Sequence, residues 1–189
     1  MRIRSSKVVV FLLTFFILLS QVFTSSFALA DNKVPFTIFH TNDMHGRLGY
    51  EEYKGKPSSF GSAREKALID KEKKENPDRT VIALDAGDAF QGLPVSNQSK
   101  GQDMAKAMNE IGYKAMAAGN HEFDFGLDTV EKYKNNPQNG GWLNFPILST
   151  NVYKDGKRLF EPSTIINENG VKIGIVGVTT PETATKTNP

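Results

Sequence analysis

The chain has 189 residues, with 23 lysines and arginines against 21 aspartates and glutamates, a formal net charge of +2, three histidines and no cysteine. That charge balance gives no electrostatic footprint for a nucleic-acid polymer, and the absence of cysteine excludes a disulfide framework. The length allows one domain with a sizeable core, which must supply the stability unless bound metal contributes.

Residues 1–30 read as a secretory signal peptide. Arg2, Arg4 and Lys7 form a positive start, Val8 to Leu19 is apolar apart from Thr14, and Ala28-Leu29-Ala30 has the small-x-small pattern of a cleavage site. The apolar run is too short for a comfortable membrane span, which favours cleavage over an uncleaved anchor. The expected mature chain, residues 31–189, is near neutral, since the leader carries three positive charges away. It is expected to be exported, extracellular, periplasmic or attached to the envelope, with no stable membrane span.

From Val34 onward short apolar runs alternate with helical stretches. VPFTIFH predicts a first strand. Ser62 to Glu75 predicts a helix, with Ser62 and Glu65 as a capping box and Ala63, Ala67 and Leu68 on one face. TVIALDAGD, from Thr80, predicts a strand apolar enough to be covered on both sides. Asp103 to Gly112 predicts a second helix, with Met104, Ala107, Met108 and Ile111 at helical spacing. KAMAAGNHE predicts the third strand, followed by a helix near Leu127 to Lys134. Pro137 to Gly141 reads as loop, FPILSTNV as a fourth strand, and Asn169-Gly170 between two apolar runs as a hairpin turn. This β-α-β-α-β alternation predicts an α/β fold with a sheet at least partly parallel.

The first three strands end alike, running into TNDMHG, DAGDAFQG and GNHEFD. In open α/β sheets ligands bind beyond the carboxyl ends of the strands, so three such loops are expected to meet in one crevice. Asp43 and His45 form an Asp-x-His pair able to chelate one ion from a single turn. Asp88 follows Gly87, which lets backbone bend closely around an ion, and its carboxylate is suited to bridging two metals. Asn120 offers a neutral amide oxygen. This donor mixture suits manganese, zinc, iron, cobalt or magnesium. Two such ions side by side generate a nucleophile and clamp a phosphoryl group. His121 is expected to point away from Asn120, as neighbours on extended backbone do, and to reach phosphate or leaving oxygens as donor or general acid. Asp124 is near enough in sequence to fix the His121 tautomer. His40 reads as a structural histidine inside its strand, Glu122 as loop-ordering, and Phe90, Phe123 and Phe125 as packing.

FHTNDMHGRL, LDAGDAFQG and AAGNHEFDFG together resemble the first three signature blocks of the calcineurin-like metallophosphoesterases. They are most similar to the secreted bacterial branch of 5′-nucleotidases, 2′,3′-cyclic phosphodiesterases and UDP-sugar hydrolases. GSAR, SKGQDMAKAMNEIGY and IGIVGVTTPET match that branch too, so the resemblance covers residues 34–187. It implies a four-layer α/β/β/α sandwich and two divalent metal ions. Asp43 and His45 would hold the first ion, Asp88 would bridge, Asn120 would hold the second, and His121 with Asp124 would form the catalytic dyad. The implied substrate is a small nucleotide or other phosphate ester. One departure is Lys114, where the family often has aspartate; little effect on the site is expected.

The resemblance also implies parts not found in these 189 residues: further metal-binding histidines in a Gly-His-x-His block, the C-terminal half of the sandwich, and a domain that clamps the nucleotide base. The expectation is an N-terminal fragment carrying half of a dinuclear site, with an incomplete second sheet that leaves a strand edge or apolar face open. Little or no catalysis is expected of it alone. The alternative to a nucleotide hydrolase is an inactive secreted fragment of an interrupted gene that binds metal weakly at most. A missing C-terminal chain or segment is then the expected partner.

Overall fold

The computed structural model describes residues 33–134 and 140–187. The expected signal peptide and most of the loop read between Pro137 and Gly141 lie outside the described residues. Val34–Pro189 forms one compact unit. No helix among the described residues is long and apolar enough to cross a membrane.

The centre is a four-stranded sheet in the order β1 (Phe36–Thr41), β4 (Thr80–Asp85), β5 (Ala115–Ala117) and β6 (Ile147–Leu148), parallel throughout. Each new strand adds on the same side of its predecessor, so right-handed crossovers carry the intervening helices to one face. Those helices are α1 (Ser62–Glu75), the single turn α2 (Pro94–Asn97), α3 (Gln102–Ile111) and α4 (Leu127–Tyr133). Val81, Ala83, Met116 and Ile147 point from the sheet into that layer. They pack with Ile69 of α1, Met104, Ala105 and Met108 of α3, and Val130 and Tyr133 of α4. Alternation on the strands sends Ile38, Ile82, Ala115 and Leu148 to the opposite face. An antiparallel hairpin, β9 (Ser163–Glu168) and β10 (Val171–Val176), lies at that face. Lys114 forms an ion pair with Glu168 of β9, so the residue that departs from the family pattern ties the hairpin to the sheet.

The Asn169-Gly170 turn is as read, with positive φ at both residues (51° and 78°), as a two-residue hairpin of the I′ kind requires. Two further hairpins went unread: β2–β3 (Glu51–Tyr53, Lys56–Ser59) and β7–β8 (Tyr153–Lys154, Lys157–Arg158). Both turn through an x-Gly pair in the same conformation, Lys54-Gly55 and Asp155-Gly156. Asp-Gly was a legible signal; Lys-Gly was not.

Several expectations need correction. Ser62 does not cap α1. Gly61 is the cap residue, Ser62 lies inside the helix with its hydroxyl buried and unpartnered, and the Glu65 side chain reaches Tyr113 instead of turning back. The apolar face proposed for α1 is the exposed one: Ala63, Ala67 and Leu68 face solvent while Ile69 is fully buried. On α3 the buried set is Met104, Ala105, Met108 and Ile111, with Ala107 half-buried. The third and fourth strands are shorter than read, because the chain beyond Ala117 and Leu148 turns away to build loops. His40 does lie in β1, but its side chain is exposed on the hairpin-side face.

β1 has one neighbour, β4, and its other edge is unpaired among the described residues. Ile38 is 50% exposed on its outer face, and Ile165 on β9 is 75% exposed.

Candidate metal centre

The loops leaving β1 and β4 are held together by main-chain hydrogen bonds. Asp43 N–H donates to the Gly87 carbonyl, His45 N–H to Asp88 and Gly46 N–H to Ala89, each at 2.9 Å. The Leu93 N–H returns to the His45 carbonyl at 2.9 Å. This zipper needs left-handed backbone at three chemically important residues: φ is 53° at Asp43, 48° at His45 and 60° at Asp88. Such conformations are uncommon for non-glycine residues, and strain of this kind gathers at functional sites. Glycine is required where the loops touch. A Cβ on Gly119 would lie 2.2 Å from Asp88 Oδ1, and one on Gly92 would lie 2.4 Å from the His45 carbonyl oxygen.

One donor atom each from Asp43, His45 and Asp88 comes within 4.8 Å of the others. His45 Nδ1 is 2.8 Å from the Gln91 carbonyl, which only accepts, so Nδ1 carries the proton. That leaves Nε2 on the inner side, 3.7 Å from Asp43 Oδ1. Fixing one ring nitrogen so that the other is free is the usual preparation of a ligand imidazole. Two carboxylates and an imidazole make a hard-to-intermediate donor set, which fits divalent ions such as manganese, zinc or magnesium.

Asn120 and His121 are not extended, contrary to the alternation expected of them. Asn120 has φ −77° and ψ −32°, and His121–Phe123 forms a 3₁₀ turn. Their side chains diverge nonetheless. Asn120 Nδ2 donates to the Lys186 carbonyl at 2.5 Å. His121 turns toward the first loop, its ring centroid 5.2 Å from that of His45 in an edge-on arrangement. Its backbone N–H donates to Asp88 Oδ1 at 2.9 Å. His121 Nδ1 lies 2.7 Å from Asp124 Oδ2, whose side chain is 6% exposed. Burial pulls the His121 pKa down, but the hydrogen bond and charge of Asp124, with the charges of Asp88 and Glu122, outweigh it, so the net shift is upward.

Glu122, read only as loop-ordering, is completely buried and joins two loops. Its carboxylate accepts the N–H groups of Asp88 at 2.8 Å, Ala89 at 2.9 Å and Gly119 at 2.6 Å. Burial pushes its pKa up to about 7 against the opposing pull of those N–H groups, with the nearby Asp88 and Asp85 charges adding to the rise. A second buried polar chain went unread. Thr41 Oγ1 donates to Asp85 Oδ2 at 2.6 Å, Tyr113 lies 2.6 Å from the same hydroxyl, and the Tyr113 hydroxyl donates to Glu65. The other Asp85 oxygen accepts Gly87 N–H at 2.7 Å, so this chain supports the turn that presents Asp88. Asp85 stood visibly in LDAGD; Tyr113 gave no local signal.

The sequence model of the calcineurin-like phosphoesterases matches residues 36–184. The chain belongs to that family. Among related phosphoesterases, the 5′-nucleotidase of Vibrio parahaemolyticus is 41% identical over 164 residues, 85% of this chain and 28% of that protein. The protein UshA of Escherichia coli is 36% identical over 196 aligned positions, spanning all of this chain and 33% of its own length. The crystal structure of a 5′-nucleotidase precursor from Thermus thermophilus superposes with a TM-score of 0.68 at 36% identity, covering 80% of this chain and 30% of that one. The chain thus spans about a third or less of each of these three relatives and has the N-terminal portion of their α/β fold.

Proposed function

We propose that this chain carries the N-terminal part of a site for metal-dependent hydrolysis of nucleotide phosphate esters, of the 5′-nucleotidase or 2′,3′-cyclic phosphodiesterase type. The observation that carries the reading is the convergence of Asp43, His45 and Asp88 donors within 4.8 Å, with His121 set beside them. Similarity to 5′-nucleotidases and to an NAD nucleotidase structure of Haemophilus influenzae, 28% identical, supports the nucleotide class.

In this reading Asp43 and His45 would hold one divalent ion, the Asn120 amide oxygen would hold a second, and Asp88 would be shared between them. Metal bound there supplies Lewis acidity and an activated water at neutral pH. The protein's own share is positional. Glu122 fixes the Asp88 turn, the Gln91 carbonyl fixes His45, and the 3₁₀ turn aims His121 inward. With Asp124 holding Nδ1, His121 presents Nε2 to the phosphate or leaving oxygen as hydrogen-bond donor or general acid. Residues 1–30 act as an export signal in the same reading, which places the chemistry outside the cytoplasm.

A second reading, weak metal binding without turnover, is favoured by the donor count. Two carboxylates, one imidazole and one amide shared by two ions leave much of each ion's coordination to water. Phosphate release from AMP and phenol release from a bis-phenyl phosphodiester, measured on purified residues 31–189 with manganese, separate the two. Turnover abolished by Asp88→Asn supports hydrolysis; equal rates in both proteins leave only metal binding.

A further inference from the structure

We infer that Thr187 is a positioning residue for the His121–Asp124 pair, delivered by a strap formed by residues 179–187. This rests on the proposed role of His121, and it extends that role to a part of the chain outside the three loops.

The strap begins at a fixed point. Thr179 is 1% exposed, and its hydroxyl donates to the Ala118 carbonyl at 2.7 Å, at the end of the strand that carries the third loop. The Thr179 backbone N–H donates to Asn151 Oδ1 at 2.9 Å, and Asn151 Nδ2 returns to the Thr179 carbonyl at 2.7 Å. The strap is therefore in register with the third loop before it crosses it. A 3₁₀ turn, Pro181–Ala184, follows, with Thr180 Oγ1 accepting the Glu182 N–H at 3.3 Å. The Lys186 N–H donates back to the Glu182 carbonyl at 2.8 Å, which sets the direction of the last residues.

Two contacts then land on consecutive features of the site. The Lys186 carbonyl accepts from Asn120 Nδ2, and Thr187 Oγ1 donates to Asp124 Oδ1 at 2.6 Å. Asp124 is thus held by both oxygens, one on His121 Nδ1 and one on Thr187. A carboxylate bonded through one oxygen is free to rotate about its last torsion. One bonded through both is not, and its orientation fixes which imidazole nitrogen carries the proton. The threonine hydroxyl, with its donor spent on Asp124, keeps the carboxylate aimed at Nδ1 and leaves Nε2 to face the site.

The test reads the tautomer directly. The chain is labelled with ¹⁵N at its three histidines, and the ring nitrogen shifts of His121 are measured at the alkaline plateau of a titration, where they no longer change with pH. The wild-type chain is expected in the Nδ1–H form. Thr187→Val is expected to shift His121 toward Nε2–H, in the direction taken by Asp124→Asn, while Thr187→Ser retains the wild-type shifts. Unchanged His45 and His40 signals show that the fold is intact. Wild-type shifts in Thr187→Val overturn the inference, as does a Thr187→Ser protein that behaves like Thr187→Val. The readout needs neither metal nor turnover, so its failure leaves the proposed hydrolysis standing, and a failure of hydrolysis leaves the tautomer result intact.

Discussion

The Asp88 N–H donates to the Glu122 carboxylate at 2.8 Å, across 34 residues of sequence. Through this bond and its partners at Ala89 and Gly119, one fully buried side chain decides how the second and third loops meet. The residue that orders the site is therefore itself inaccessible to any ligand.

Glu122→Gln tests that grip. A glutamine has one accepting oxygen, so at least one of the three N–H groups must face its NH₂. Leaving a buried donor unsatisfied, with loss of a charge-assisted bond, costs about 2–3 kcal/mol. The expected result is a loss of that size in urea-denaturation stability. A change below about 0.5 kcal/mol, the ordinary range for surface substitutions, would show that the loops hold without Glu122.

Gly119→Ala separates loop contact from general stability. The added methyl would sit 2.2 Å from Asp88 Oδ1 and 2.7 Å from the Asp88 backbone nitrogen, so Asp88 must move. Manganese affinity, read by electron paramagnetic resonance of the free ion, is expected to fall at least about tenfold, a loss of about 1.4 kcal/mol. Gly49→Ala, where a Cβ meets nothing within 4 Å, is the control and is expected to bind as the wild type does. Equal affinity in all three proteins would remove Asp88 from the metal site.

Asp85 predicts a pH dependence of stability. Burial pushes its pKa from 3.8 up to about 7, aided by the Glu65 and Asp88 charges and opposed by the Thr41 and Gly87 hydrogen bonds. The folded state then binds more protons than the unfolded state between these values, so stability falls as pH rises from about 4 to about 7. Above that range the contribution of Asp85 is constant. Urea midpoints are expected to decline over this window in the wild-type chain and to decline less in Asp85→Asn. A steeper decline in the variant would reverse the sign assigned to Asp85.

The open face predicts self-association. Ile38 on β1 and Ile165 on β9 are half or more exposed, and the outer edge of β1 is unpaired among the described residues. Replacing both with threonine keeps β-branched shape and removes apolar surface. Sedimentation at rising concentration is expected to show less association for the double variant, with stability changed by under about 1 kcal/mol, since neither side chain is in the core. Identical sedimentation would mean that this face is not adhesive.

Much of this was legible because it depends on short stretches of chain. The β-α-β alternation specified a parallel sheet, and strands ending in TNDMHG, DAGDAFQG and GNHEFD placed Asp43, His45 and Asp88 at one end of it. Asn169-Gly170 specified a turn that needs two positive φ angles, which those residues tolerate well. Where the reading failed, a tertiary contact competed with a local one. Glu65 satisfied the capping pattern, but Tyr113 lies within reach and captures it, leaving Ser62 without a role. Ala63, Ala67 and Leu68 form an apolar stripe by spacing alone, yet the sheet lies against Ile69. Alternation of Asn120 and His121 requires extended backbone, and Glu122, held by three N–H groups, lies in a 3₁₀ turn instead.

By itself the sequence determined which chemistry is available: two carboxylates, two imidazoles and an amide, with Gly46, Gly87 and Gly119 next to His45, Asp88 and Asn120 to allow close backbone approach. It also determined the order in which strands and helices form, since that rests on periodicity and turn residues a few positions apart. Only the tertiary structure decided how those groups face one another. The left-handed backbone at Asp43, His45 and Asp88, the buried Glu122 clamp and the Thr187 contact on Asp124 all join residues that are distant in sequence. No local pattern records such bonds, because their energy is realised only when the sheet has already brought the loop ends together.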